Sequence, residues 1–142
     1  MGGFDGKTEL GGSIDAFDLS KGEWETISFS ADGIVGPGAR SVSTLIPLKL
    51  RGRPSLVTVF GEADPSALGH AGAGKMLEDA WLFDINDRRW SKVHAEAGDG
   101  AAPAPRGWFA AASDTDTSIV VVGGLGEDNE RLDDAWRLTL GE

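Results

Sequence analysis

The residues of this chain whose types and spacing could do chemistry are Glu62, Asp64 and His70, which fall in the segment from Gly61 to Lys75. One imidazole and two carboxylates form a ligand set suited to a hard or borderline cation such as Fe(II), with coordination positions left open for a substrate. The same segment also reads as a long solvated turn, opened by Asp64-Pro65-Ser66 and given positive φ by its glycines. Spacing alone favours the turn. A second candidate is the stretch Ala102-Pro103-Ala104-Pro105-Arg106-Gly107-Trp108, where Trp108 could form the apolar wall of a ligand pocket with Arg106 beside it. Arg106, like Arg40, reads more readily as a structural arginine that bonds backbone carbonyls of an adjoining unit.

Other chemistries are excluded or unsupported. There is no cysteine, hence no disulfide or thiolate metal site. No Gly-x-Ser-x-Gly and no phosphate-binding glycine loop occurs. Only two histidines are present, and His94 lies on a predicted strand without a nucleophile motif. A net charge of −10 argues against nucleic acid or an anionic membrane as partner, because both are bound chiefly through Lys and Arg. No apolar run approaches the roughly 20 residues that span a bilayer, and no segment resembles a signal peptide, so a soluble cytoplasmic protein is the expectation.

The elements that must position these residues are announced by an internal repeat. Phe17, Asp18 and Trp24 recur 66 positions later as Phe83, Asp84 and Trp90, and Arg40-Ser41 recurs at the same offset as Arg106-Gly107. A shorter third copy repeats Asp79-Ala80-Trp81 as Asp134-Ala135-Trp136, and Gly2-Gly3 as Gly123-Gly124. A fixed offset over several positions means one supersecondary unit used more than once, and such a unit cannot bury its apolar faces without neighbours. Each copy predicts four short strands. The first covers Ser41 to Pro47 or Trp108 to Ser113, and the second Leu56 to Phe60 or Ile119 to Val122. The third covers Ile14 to Leu19, Ala80 to Ile85 or Asp134 to Leu140, and the fourth Trp24 to Phe29 or Trp90 to His94. In this register Glu62 takes the place of the second glycine of the repeat's diglycine, at the mouth of a central channel. Trp24, Trp81, Trp90 and Trp136 are expected in the core.

Four-stranded units with a diglycine and a spaced aromatic pair resemble kelch repeats, the blades of one class of β-propeller. A β-sandwich would not explain the offset of 66. The expected fold is therefore all-β, a propeller segment of about two and a half four-stranded antiparallel blades forming an incomplete ring. Its parts are an incomplete blade at 1–29, a complete blade at 37–94, and a blade lacking its last strand at 103–142. On this reading the N-terminus looks truncated, and the unpaired blade faces at the ends would promote self-association.

Phe60-Gly61-Glu62, Gly69-His70, Gly72-Ala73-Gly74, Pro105-Arg106-Gly107-Trp108, Gly123-Gly124 and Asn129-Glu130-Arg131-Leu132-Asp133-Asp134, taken in order, resemble the C-terminal blades of the plant specifier proteins. These are the nitrile-specifier, epithiospecifier and thiocyanate-forming proteins. The resemblance implies an Fe(II)-dependent, lyase-like activity that directs glucosinolate aglucones toward nitriles. It also implies metal ligands on a Glu-x-x-x-Asp-x-x-x-His pattern. Glu62 and His70 match its ends, the middle position is Ser66, and Asp64 is the available substitute. The family's pocket tryptophan falls on Trp108. A fragment without the opposite wall of the pocket is not expected to catalyse alone. The alternative expectation is a kelch interaction module without chemistry, whose loops bind a protein partner.

Overall fold

The computed structural model describes residues 1–64, 66–67, 72–94, 96, 98 and 100–141. The described residues hold no helix. They form nine strands in three antiparallel sheets: β1 (Ser13–Asp18) with β2 (Glu23–Ser28); β3 (Ile46–Leu50), β4 (Arg53–Val59), β5 (Ala80–Asp84) and β6 (Arg89–Val93); and β7 (Ala110–Thr115), β8 (Ser118–Leu125) and β9 (Arg131–Thr139). In each sheet the strands lie side by side in chain order.

The turns explain the pairings. Between β3 and β4, Arg51 (φ 49°) and Gly52 (φ 75°) both sit in the left-handed region, the primed-turn geometry that matches the twist of a two-residue hairpin. Between β1 and β2 the Asp18 carboxylate accepts the Ser20 N–H at 2.8 Å and the Lys21 N–H at 3.1 Å. Between β5 and β6 the Asp84 carboxylate accepts the N–H groups of Asn86 and Asp87, both at 2.9 Å. These are Asx turns at equivalent places in the repeat.

The repeat is also present in the packing. Phe17 opposes Trp24 with ring centroids 5.1 Å apart and an interplanar angle of 50°, and Phe83 opposes Trp90 at 5.1 Å and 51°. Gly2-Gly3, Phe60-Gly61 and Gly123-Gly124 share one backbone shape, with φ pairs of 72° and 125°, 54° and 106°, and 62° and 118°. Glycine suits such a stop because it adopts positive φ without a Cβ penalty. Phe60 accepts that penalty, and in return its ring packs edge-on against Phe109 at 5.6 Å.

Two contacts join the sheets. The middle sheet turns Phe83 and Trp90 toward the first sheet, where Phe29 meets Trp90 at 5.4 Å. Arg88 reaches across the same contact to the carboxylate of Glu25 in β2 at 2.5 and 3.1 Å. The opposite face of the middle sheet packs on the third through Ile46, Leu48, Val57, Val59 and Phe60 against Ile119, Val121 and Leu140.

Eight of the nine predicted strands overlap those observed to within a few residues, and the expected first strand of the middle unit is displaced. β3 begins at Ile46 rather than Ser41, because Val42 adopts φ 45° and breaks the extended backbone. Ser41 instead makes an isolated bridge to Glu62. Trp24 also departs from expectation, being 72% exposed rather than in the core. Among the described residues no sheet covers its face.

Candidate functional site

Three loops meet at one end of the sheets: the approach to β3 through Ser41 and Val42, the start of the β4–β5 connection at Gly61 and Glu62, and the approach to β7 through Gly107 and Trp108. Ser41 and Glu62 exchange backbone hydrogen bonds, each at 3.0 Å, and Glu62 also bridges to Met76. The Trp108 N–H donates to the Val42 carbonyl at 3.1 Å. Gly107 permits this approach, since a Cβ there would stand 2.7 Å from the Val42 Cγ2 and 3.3 Å from the Met76 Sδ.

Two superposable clamps hold the loops. Arg40 donates from Nε to the Gly38 carbonyl (3.1 Å), from Nη1 to the Phe60 carbonyl (3.1 Å) and Asp79 Oδ1 (2.7 Å), and from Nη2 to Asp79 Oδ2 (3.0 Å). Arg106 repeats the pattern on the Ala104 carbonyl (2.9 Å), the Gly123 carbonyl (3.0 Å) and Asp134 (2.5 and 2.9 Å). In each clamp an indole N–H completes the carboxylate's coordination, Trp81 to Asp79 at 2.7 Å and Trp136 to Asp134 at 2.6 Å. Forked Arg–carboxylate pairs of this kind are strong and geometrically specific. The carboxyl of Asp134 is held down at about 2, first by its hydrogen bonds from Arg106 and then, against partial burial, by Trp136. For Asp79, burial pushes the pKa up, but the hydrogen bonds and charge of Arg40 outweigh it and leave the carboxyl below its ordinary value.

Arg106 is thus 0% exposed, with its guanidinium engaged by carbonyls and Asp134, and it presents no surface to a pocket. The sequence reading placed the carbonyl partners in an adjoining unit. They belong to the arginine's own sheet, and the principal partner is an aspartate that the reading missed. The signal was available, because Asp79 and Asp134 both stand two residues before a repeated tryptophan.

Glu62 is buried, 6% exposed, and its Oε1 accepts the Gly74 N–H. Asp64 is exposed, and its backbone carbonyl accepts the Lys75 N–H at 3.0 Å while the Ala63 N–H donates to the Lys75 carbonyl at 2.9 Å. The two chain segments therefore run as a short ladder out of the middle sheet. His70 lies outside the described residues. Among the described residues no three His, Asp, Glu or Cys side chains are grouped closely enough to hold a metal ion. Glu62 is turned onto a backbone amide and Asp64 is in solvent, so the described part of the ligand set is not gathered for Fe(II).

The loop cluster contains a carboxylate that sequence reasoning passed over. Glu9 bridges to Phe4 just after Gly2-Gly3, as Met76 bridges to Glu62 just after Phe60-Gly61, and aligning the repeat in that register would have found it. Its pKa is raised, first by burial, then by the charges of Glu62 and Asp5, against a hydrogen bond from Ser41. Its Oε2 is buried and finds no hydrogen-bond partner among the described residues. Trp108 stands at the edge of this cluster, 45% exposed, with φ 52°.

No family model matches the chain. Over 100 residues it is 34% identical to the tRNA wybutosine-synthesizing protein 2/3/4 of Oryza sativa subsp. japonica, a match covering 67% of this chain and 9% of that protein. Over 81 residues it is 32% identical to the flagellar outer arm dynein alpha chain of Chlamydomonas reinhardtii, covering 56% of this chain and 2% of that one. The chain therefore spans less than a tenth of the length of these curated relatives.

Proposed function

We propose that the chain is an arc of a kelch-type β-propeller that works as a binding module, and that its ligand docks on the loops around Trp108. The supporting observation is a large indole kept half in water on a residue of positive φ, two positions after a fully buried and fully bonded arginine. A non-glycine residue in that conformation costs about 1–2 kcal/mol and persists only where surrounding structure enforces it. Val42 carries the same strain at the equivalent position. Rigid sheets presenting strained, exposed loop residues are the usual arrangement of a recognition surface.

The cluster at these loops is acidic, through Asp5, Glu9 and Glu62, and the chain as a whole is acidic. A basic, partly apolar segment of a protein partner fits this chemistry, with its stem on the indole and its charge toward the carboxylates. Titration with an arginine-rich peptide, followed through the indole N–H resonances, tests it. Trp108 should shift while the clamp indoles of Trp81 and Trp136 stay in place, and Trp108→Ala should weaken binding about tenfold or more. An acidic peptide binding equally well would remove the electrostatic part of the proposal.

A second reading has one observation in its favour: Glu62, buried at the same loops as Trp108, matches the first ligand position of the specifier-like pattern. In it Glu62, Asp64 and His70 would hold Fe(II), and the metal would supply Lewis-acid or redox chemistry next to Trp108. Anaerobic Fe(II) titration of the wild type, Glu62→Ala and His70→Ala separates the readings. Uptake lost in both variants supports the iron site, and equal uptake in all three leaves the binding module.

A further inference from the structure

The turns of the middle sheet carry charges that the repeat does not require. Its two hairpins stand side by side at the end away from Trp108: the Ile85 N–H donates to the Pro54 carbonyl at 3.2 Å, and Arg53 reaches Asp84 at 2.8 Å and Asp87 at 2.6 Å. Lys49, Arg51, Arg53, Arg88 and Arg89 are exposed there, five cations against those two carboxylates. Aligned on their hairpin pairings, Arg51 and Arg53 correspond to Asp116 and Ser118 in the third sheet, and Arg88 and Arg89 to Gly22 and Glu23 in the first. The adjoining sheets thus carry no cation at these four places, and an acid at two of them. Moreover, Arg51 (φ 49°) and Arg88 (φ 54°) hold left-handed backbone, which glycine or asparagine adopts at lower cost. Arg53 is committed to its aspartates and Arg88 to Glu25. Among the described residues Lys49, Arg51 and Arg89 form no ion pair.

We infer that this end of the middle sheet binds a short acidic segment of a partner protein, whose carboxylates sit on Arg51 and Arg89. A guanidinium is a forked donor that holds a carboxylate through two parallel N–H bonds, which is more specific than a point charge. Charge complementarity also limits the length of the segment. Glu23 and Asp116, at the turns to either side, confine the cations to the middle sheet. A long polyanion such as nucleic acid would therefore lie across carboxylates, on a chain whose net charge is −10. A short acidic stretch with neutral flanks meets the arginines and avoids both acids. This contact lies at the opposite end from the loop cluster and stands whether or not Trp108 receives a ligand.

Titration of the chain with a capped tetra-aspartate peptide at low salt, followed through backbone amide resonances, tests this. Saturable shifts are expected at the two hairpin turns of the middle sheet. The Trp108 indole should stay in place, which keeps this contact apart from the loop site. Affinity should fall as ionic strength rises from about 0.01 M to about 0.1 M, because the screening length shortens from about 30 Å to about 10 Å. Arg51→Asp and Arg89→Glu each bring in the residue type that a neighbouring sheet holds at that place. Folding should therefore survive, and unchanged circular dichroism and melting check it. Each substitution should weaken binding about threefold and the two together about tenfold, the scale of exposed Arg–carboxylate contacts. No saturable shift in the wild type, shifts centred on Trp108, or an affinity unchanged in the double variant would overturn the inference. An oligonucleotide of equal charge that binds as tightly as the peptide would also overturn it, in favour of a nucleic-acid partner.

Discussion

The Phe83–Trp90 pair of the middle sheet and the Phe17–Trp24 pair of the first are the same object in two environments. Their ring separations agree and their interplanar angles differ by a degree, yet Phe83 is 1% exposed and Phe17 45%. Local geometry is therefore set within the hairpin, by register and by the Asx turn. Burial is set by whether another sheet arrives. A sequence pattern that specifies the first does not specify the second.

The largest expected difference is in stability. Phe83→Ala should cost about 3–5 kcal/mol by opening a core cavity, whereas Phe17→Ala at dilute monomer should cost less than about 1 kcal/mol, read from urea midpoints. Comparable losses would mean that the exposed face is covered in solution. The clamps come next. Arg40→Met should cost about 3–5 kcal/mol, because it strands a mostly buried carboxylate. Asp79→Asn should be worse than Asp134→Asn, since the Asp79 side chain is 17% exposed and that of Asp134 36%.

Acid should act on the same clamps. Both carboxyls are depressed in the folded state, so their contribution is complete above the unfolded value of about 4. It is lost as pH falls through the folded value, about 2 for Asp134. Melting followed from pH 5 to pH 2 should show stability falling in that window, and Asp134→Asn should flatten the fall. Glu9 has the opposite sign: its raised pKa means that ionising it disfavours the fold, so Glu9→Gln should raise the melting temperature at pH 7 and do little at pH 3. The smallest effect belongs to the hairpin turns, where Gly22 (φ 69°) and Arg88 (φ 54°) are equivalent. Gly22→Ala should cost about 1 kcal/mol. Arg88→Gly should be nearly neutral, because relief of strain offsets the exposed pair with Glu25.

How far the sequence carried can be judged from these same residues. The strands from β4 onward and the β1–β2 hairpin were legible, because β-branched runs, Asx-turn aspartates and paired aromatics act over a few residues. The start of β3 was not, because Val42 is a residue that favours extended backbone and is forced out of it by loops distant in the chain. Arg40 and Arg106 were recognised as structural, but their aspartate partners are 39 and 28 residues away, and the repeated Asp-x-Trp that marks those aspartates does not say which arginine each one binds. At the candidate site Trp108 was found from its position in the repeat, whereas Glu62 was read as the second glycine of the stop, a place that the backbone gives to Gly61. The burial of Glu62 and the strain on Trp108 follow from convergence of three loops, which no single loop encodes.

Those two spans, 39 and 28 residues for one and the same clamp, have a consequence for how the molecule can change. Much of the extra length in the middle unit lies in the excursion between Glu62 and Met76, and the clamp closes regardless. The frame and the loop are therefore separable inheritances: residues between Asp64 and Gly74 can be lengthened, shortened or exchanged while Arg40, Asp79 and Trp81 keep their geometry. New specificities could be grafted there with the architecture left untouched, and a library randomised over that segment should return folded members at a rate that one randomised over residues 38–42 would not approach.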